Sequence, residues 1–331
     1  MEHETITNDT MTAGILTYIL FVVGFVVLIL GADWLVDAAT SLGIRAKMSP
    51  LIIGLTIVAF GTSLPELIIN IFACIKGSSG LAIGNIVGSN IMNLLLILGV
   101  SAIIYPINVS NVTIRRDIPA GFLATAILIL VANISIFGKP NTIGWGESII
   151  LLIMAVVYLW LTIDKGRENK LEGEMEAQQT IMPLGKTILL LILGIGGLYA
   201  GGELVSTNAQ IIARSWGMSE AMIGLTVVAI ATSLPELITS IVAAVKKNSD
   251  MAIGNVLGSN ILNIFVVLGI SGLIIPLEFD PKMNINLYIL FFSNLLMLLF
   301  VYTGKGHKIS RPEGILFLLV FAGFMAYTVF G

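Results

Sequence analysis

The sequence predicts an all-α polytopic membrane protein, with ten transmembrane helices arranged as two five-helix repeats of inverted topology. Three observations carry that prediction. The 331 residues are 56% apolar and only 11% charged, with a mean hydropathy of +0.99, which lies outside the range of water-soluble domains. The apolar residues gather into ten runs that reach or approach the roughly 20 residues a helix needs to cross the hydrocarbon core. The second half of the chain also repeats the first, without a gap, at an offset of 170 residues.

The runs fall at about 14–38, 48–75, 81–105, 118–137, 146–163, 184–212, 218–245, 251–275, 284–303 and 313–330. Their length and uniformity, with no strand-type alternation, exclude an outer-membrane barrel. The first run follows Glu2 and Glu4 with no basic flank, so it reads as a retained span and not as a cleaved signal, leaving residues 1–13 as a tail. Between the fifth and sixth runs, residues 164–183 carry Asp164, Lys165, Arg167, Glu168, Lys170, Glu172, Glu174 and Glu176. That mixed charge marks a solvated linker between a first repeat, 14–163, and a second, 184–331. The single cysteine, Cys74, excludes an intramolecular disulfide and reads as a packing residue. A net charge of −3 with scattered basic residues gives no sign of a nucleic-acid partner.

Ten spans put the connections alternately on two sides. One side receives Arg45, Lys47, Arg115, Arg116, Lys165, Arg167, Lys170, Lys186, Lys246, Lys247, Lys305, Lys308 and Arg311, whereas the other receives only Lys76, Lys139, Arg214 and Lys282. Thirteen against four makes the first side cytoplasmic. The linker is then cytoplasmic, and both termini are extracellular.

The repeat is densest around two motifs. Gly54-Leu55-Thr56 returns as Gly224-Leu225-Thr226, and Thr62-Ser63-Leu64-Pro65-Glu66-Leu67-Ile68 returns as Thr232-Ser233-Leu234-Pro235-Glu236-Leu237-Ile238. Ala82-Ile83-Gly84-Asn85, Gly88-Ser89-Asn90-Ile91 and Asn93 return at 252–255, 258–261 and 263. Because five is odd, the second repeat enters the membrane from the opposite face, which is inverted-repeat transporter architecture.

Glu66 and Glu236 sit inside apolar runs, where a charged carboxylate costs several kcal/mol unless it is paired or coordinated. Pro65 and Pro235 remove an N–H and should break the helix there, freeing the carbonyls of Gly61 and Ala231. Interrupted helices at membrane depth line cavities and build oxygen-rich cation sites. Helical spacing puts Thr62, Ser63 and Ala59 on the Glu66 face, and Thr232, Ser233 and Ala229 on the Glu236 face. The stripes Asn85-Ser89-Asn93 and Asn255-Ser259-Asn263 run along the following spans. Gly84, Gly88, Gly254 and Gly258 beside them are suited to close helix approach. Asn90 and Asn260 point off these stripes on an ideal helix. Asp33 and Glu203, near the ends of spans one and six, read as snorkelling or capping residues.

At these residues the chain resembles the calcium/cation antiporter superfamily, especially its prokaryotic sodium/calcium exchanger branch, whose paired signatures are similar to Gly61-Thr62-Ser63-Leu64-Pro65-Glu66 and Ala231-Thr232-Ser233-Leu234-Pro235-Glu236, each followed by Gly-Ser-Asn. The resemblance implies that spans two, three, seven and eight surround the ions while spans one and six slide. It implies a metal site made of the Ala59 and Ala229 carbonyls, Thr62, Ser63, Glu66, Ser89, Asn93, Thr232, Ser233, Glu236, Ser259 and Asn263. Some exchangers carry Asp where this chain has Asn263, which leaves two acidic ligands here. Two carboxylates neutralise one calcium, two sodium ions or two protons.

The function implied is secondary active exchange of calcium for sodium across the plasma (inner) membrane by alternating access. The alternative is a proton/calcium antiporter, but that branch often adds an acidic residue in spans three and eight, where this chain has only Asn and Ser. No cofactor is expected, Ca2+ and Na+ being cargo, with H+ the alternative. The expected partners are these cations and membrane lipid, with no obligate protein partner. A channel would not need duplication around one central site. His3 and His307 lie outside the apolar runs, which leaves no catalytic base for an intramembrane hydrolase.

Overall fold

The computed structural model describes residues 2–134, 137–168, 181–217, 229–303 and 307–330. Its long elements are helices, as uniformly apolar runs in lipid require, because only a helix satisfies its own backbone there. They are α1 (Glu2–Ala46), α2 (Pro50–Thr62), α3 (Leu64–Ile75), α4 (Ser79–Ile104), α5 (Ile118–Asn133), α6 (Trp145–Glu168), α7 (Leu184–Ser215), α8 (Ala229–Thr232), α9 (Leu234–Val245), α10 (Ser249–Ile274), α11 (Asn284–Thr303) and α12 (Arg311–Phe330). Among the described residues, seven helices are long and apolar enough to cross a membrane alone, and the pair α2–α3, bent by 42°, makes an eighth candidate. α5, at 16 residues, and α9, at 12, fall short by length.

Burial separates centre from periphery. In α4 and α10, 78% of the apolar window is inside the protein, against 22% in α1, 28% in α7 and 17% in α12. Ile83, Ile86 and Ile91 of α4 join Ile253, Val256 and Ile261 of α10 in the main core. Ile15, Val22 and Ile29 of α1, like Ile188 and Ile192 of α7, point outward.

α1 and α7 pack along their length as an outer pair, brought together by glycine. A Cβ on Gly31 would lie 2.7 Å from Leu198 N and 2.9 Å from Gly194 O; one on Gly201 would lie 2.7 Å from Leu28 N and 2.8 Å from Gly24 O. Gly194 and Gly201 are the repeats of Gly24 and Gly31 at the 170-residue offset, so the contact is reciprocal. Close backbone approach of this kind substitutes for the hydrophobic drive that lipid lacks.

Several sequence expectations change. α1 continues to Ala46, so Asp33 is in the body of the helix and not near its end. It pairs with Lys246 at 2.7 Å, and Asp37 pairs with the same ammonium at 2.6 Å. Glu203 lies inside α7 and accepts from Thr207 Oγ1 at 3.3 Å. α5 stops at Asn133 because Ile134 turns extended, φ −111° and ψ 116°. Of the linker, residues 164–168 continue α6 and 169–180 lie outside the described residues. The chain is also not wholly α. β1 (Ile107–Asn108) pairs antiparallel with β4 (Lys308–Ile309), and β2 (Thr142–Ile143) with β3 (Leu277–Glu278). Each pair joins a connection of one half to a connection of the other.

Candidate cation site

The two signature motifs fold alike. Ser63 separates α2 from α3 with φ −83° and ψ 2°, and Ser233 separates α8 from α9 with φ −93° and ψ 7°. The expected breaks are present, but each proline sits in the first turn of the helix that restarts, where its missing N–H has no helical partner to lose. Glu66 and Glu236 occupy the same first turns, at the positive end of the helix dipole. The break thus supplies a favourable place for buried negative charge.

All the expected side-chain ligands described are buried: Thr62, Ser63, Glu66, Ser89, Asn93, Thr232, Ser233, Glu236, Ser259 and Asn263 are at most 8% exposed. The two carboxylates are drawn from different halves and are both fully buried. Ser63 Oγ donates to Glu236 Oε1 at 3.1 Å. Thr62 Oγ1 reaches Asn255 Oδ1 at 3.1 Å and Ser259 Oγ at 3.4 Å across the halves. Seven oxygens of this set have no hydrogen-bond partner: both of Glu66, Glu236 Oε2, Ser89 Oγ, Ser233 Oγ, Asn93 Oδ1 and Asn263 Oδ1. A buried acceptor without a donor is costly, and calcium takes six to eight hard oxygens. The donor set fits such a cation as cargo. No cluster of three or more His, Cys, Asp or Glu occurs among the described residues, so the oxygens beyond the two carboxylates are neutral.

The Ala59 carbonyl is already engaged, accepting from Ser63 N at 3.0 Å and Thr62 Oγ1 at 3.2 Å. In the second half Ser233 N turns to Ile230 O at 3.2 Å, and the side chain of Ala229 lies outside the described residues. Asn85 and Asn255 turn away from the carboxylates: Asn85 donates to Asn70 Oδ1 at 2.8 Å and Asn255 to Ser240 Oγ at 2.9 Å, which ties α4 to α3 and α10 to α9. Gly254 and Gly258 make the close approach expected of them, against Gly54 and Leu55; the repeat of Gly54, Gly224, lies outside the described residues.

Asn90 and Asn260, set off the stripes by helical spacing, prove to be integrated with the site. Asn93 Nδ2 donates to Asn260 Oδ1 at 2.9 Å and Asn263 Nδ2 to Asn90 Oδ1 at 3.2 Å. Asn93 and Asn263 each open a π-helical turn, Asn93–Ile97 and Asn263–Val267, a local rewinding frequent at functional positions. A cavity of about 260 Å³ borders the site, lined by Pro65, Thr232, Pro235, Gly202, Glu203 and Ser206 among others. Its lining comes from α3, α7, α8 and α9.

The family model described as sodium/calcium exchanger protein matches residues 16–163 and 186–330. The inner membrane protein YrbG of Escherichia coli is 37% identical over 269 residues, which cover 79% of this chain and 81% of YrbG. The sodium/calcium exchanger MaX1 of Methanosarcina acetivorans is 29% identical over 344 residues, covering 93% and 97% of the two chains. A solved structure of the sodium-calcium exchanger NCX_Mj superposes with a TM-score of 0.80 at 33% identity, covering 96% of this chain and all of that one. The all-helical polytopic membrane fold is therefore shared, and by the extent of these matches the chain belongs to the sodium/calcium exchanger family, whose members are transporters and not enzymes.

Proposed function

We propose that this protein exchanges calcium for sodium across the plasma membrane by alternating access to one central site. The observation that carries the reading is the convergence of two buried carboxylates with four further unpartnered oxygens, those of Ser89, Ser233, Asn93 and Asn263, all buried and none paired with a cation of the protein itself. Calcium and sodium compete for those acceptors, and competition at shared ligands couples the fluxes. An empty site leaves two unneutralised carboxylates to be occluded, which is costly at membrane depth, so reorientation without cargo is slow.

In this reading the ligands are Thr62, Ser63, Glu66, Ser89, Asn93, Thr232, Ser233, Glu236, Ser259 and Asn263 with the carbonyls of Ala59 and Ala229. The chain crosses the membrane ten times, as two inverted repeats (14–163 and 184–331) joined by a cytoplasmic linker at 164–183, with both termini outside. The reciprocal α1–α7 glycine contacts and the crossed β pairs support that arrangement.

The test is calcium uptake into proteoliposomes under an imposed sodium or proton gradient, with voltage clamped by ionophores. Uptake driven by sodium alone is expected. Uptake driven by protons alone would make the protein a proton/calcium antiporter, and uptake without coupling would make it a channel.

A further inference from the structure

We propose that Asn90 and Asn260 are positioning residues, each orienting the amide of the opposite half so that its oxygen faces the cation; this rests on the proposed site. The argument starts from an atom whose role is unambiguous. The backbone carbonyl of Asn260 can only accept, and Asn90 Nδ2 donates to it at 3.1 Å. The Asn90 amide is thereby fixed, its Oδ1 turned the other way, where it too can only accept. Asn263 must present Nδ2 to that oxygen, at 3.2 Å, which leaves Asn263 Oδ1 as the atom without a protein partner. The same chain runs in reverse: Asn260 Nδ2 donates to Asn90 O at 3.1 Å, Asn260 Oδ1 accepts from Asn93 Nδ2 at 2.9 Å, and Asn93 Oδ1 is left free.

Four hydrogen bonds thus form a closed clasp between α4 and α10, in which each of the four amide nitrogens donates once and two amide oxygens are left without a partner. Without it, the Asn93 and Asn263 amides could turn an N–H toward the cation, replacing an attractive dipole with a repulsive one. The clasp also answers why a neutral residue works at 263: an amide offers both the donor that Asn90 requires and the acceptor that the cation requires, and an ionised carboxylate has no donor to offer.

Since the connections are crossed, so is the expected coupling. Asn90 acts on Asn263, although Asn93 lies one turn away on its own helix. Initial rates of sodium-driven calcium uptake against calcium concentration are measured for N90A, N93A, N263A and the doubles. N90A and N263A are each expected to raise the apparent KM for calcium about tenfold, the effect of roughly one hydrogen bond. The N90A/N263A double is expected to be no worse than N263A, whereas N90A/N93A multiplies the single effects. Multiplication in both doubles, or coupling of N90A to N93A in place of N263A, would overturn the proposal.

N90D supplies a readout independent of packing. Its carboxyl keeps both bonds only when protonated, with the hydroxyl facing the Asn260 carbonyl, so its rate relative to wild type falls as pH rises; a flat ratio counts against the clasp and stands even if N90A fails to fold. E66Q, measured alongside, separates the two levels of the argument. Full exchange by E66Q would sink the site itself, whereas an inactive E66Q with multiplicative N90A/N263A sinks only the clasp.

Discussion

Replacing Glu66 by Gln tests the site by charge with little change of shape. Glu66 is fully buried and neither of its oxygens has a side-chain donor, so beyond the dipole of α3 its charge is answered by cargo. Removing one charge from a buried ion pair costs about 3–5 kcal/mol, or between about a hundredfold and a few thousandfold in calcium affinity. Coulomb energy scales with the charge of the ion, so a monovalent cation at the same ligand loses about half as much, roughly ten- to sixtyfold. The preference for calcium over sodium should therefore fall by about the same ten- to sixtyfold. E236Q should lose less geometry, because its remaining oxygen keeps the Ser63 hydroxyl that Glu236 accepts at 3.1 Å. The assay is equilibrium binding of radiolabelled calcium to purified protein, displaced by sodium. Calcium affinity within threefold of wild type, or equal losses for the two ions, would refute the reasoning.

Three further outcomes follow from contacts away from the ligands. G31A puts a methyl group 2.7 Å from backbone at Leu198, where nothing can rotate aside, and should cost about 1–3 kcal/mol; G31A/G194A should cost less than the sum of its parts, because both methyls open the same contact, and melting in detergent reads this. K246M removes the ammonium shared by Asp33 and Asp37. The three side chains are 32%, 46% and 50% exposed, so stability should change by less than about 1 kcal/mol, while the ionic-strength dependence of turnover diminishes. D117N leaves the Arg116 guanidinium, bonded to Asp117 at 2.6 Å and 16% exposed, beside a buried neutral amide; a loss of up to about 3 kcal/mol, the low end for a broken buried pair, is expected in a denaturant or thermal melt.

The carboxylates were legible because a charge flanked by proline inside an apolar run is expensive, and here it occurs twice at one offset. Their hydroxyl neighbours followed from helical spacing. Asn90 and Asn260 were not legible, since spacing along one helix says nothing about a partner on another. The π turns that begin at Asn93 and Asn263 further shift the register on which such spacing depends. The run 14–38 ends short of Ala46 because Thr40, Ser41, Gly43 and Arg45 lower the hydropathy beyond it, and Asp33 and Asp37 within it are met by Lys246, which follows α9. The proline was correctly placed at a break but for an incomplete reason: in the first turn of α3 it costs the helix nothing, and what it marks is a new N-terminus facing the carboxylate. The two-residue β pairs lie below any pattern a sequence can display.

Those pairs bear on the number of crossings through parity, independently of hydropathy. Segments that hydrogen-bond to each other outside the membrane lie on the same side, so an even number of spans separates them. Between β2 and β3 lie α6, α7, the α8–α9 unit and α10, four crossings in the proposed topology, an even number consistent with their pairing. Between β1 and β4 lie these four together with α5 and α11, six crossings in the proposed topology and again an even number. Arg45, in the last turn of α1, donates to Met182 O, preceding α7; α2–α3, α4, α5 and α6 intervene, an even number in the proposed topology, in which the bent pair crosses. Each of the three units left uncertain by length or bending is thus matched, in the proposed topology, by a different contact. The ten crossings we propose would place Arg115, Arg116, Lys308 and Arg311 on one side and Lys139 and Lys282 on the other, the same partition that the distribution of basic residues supports.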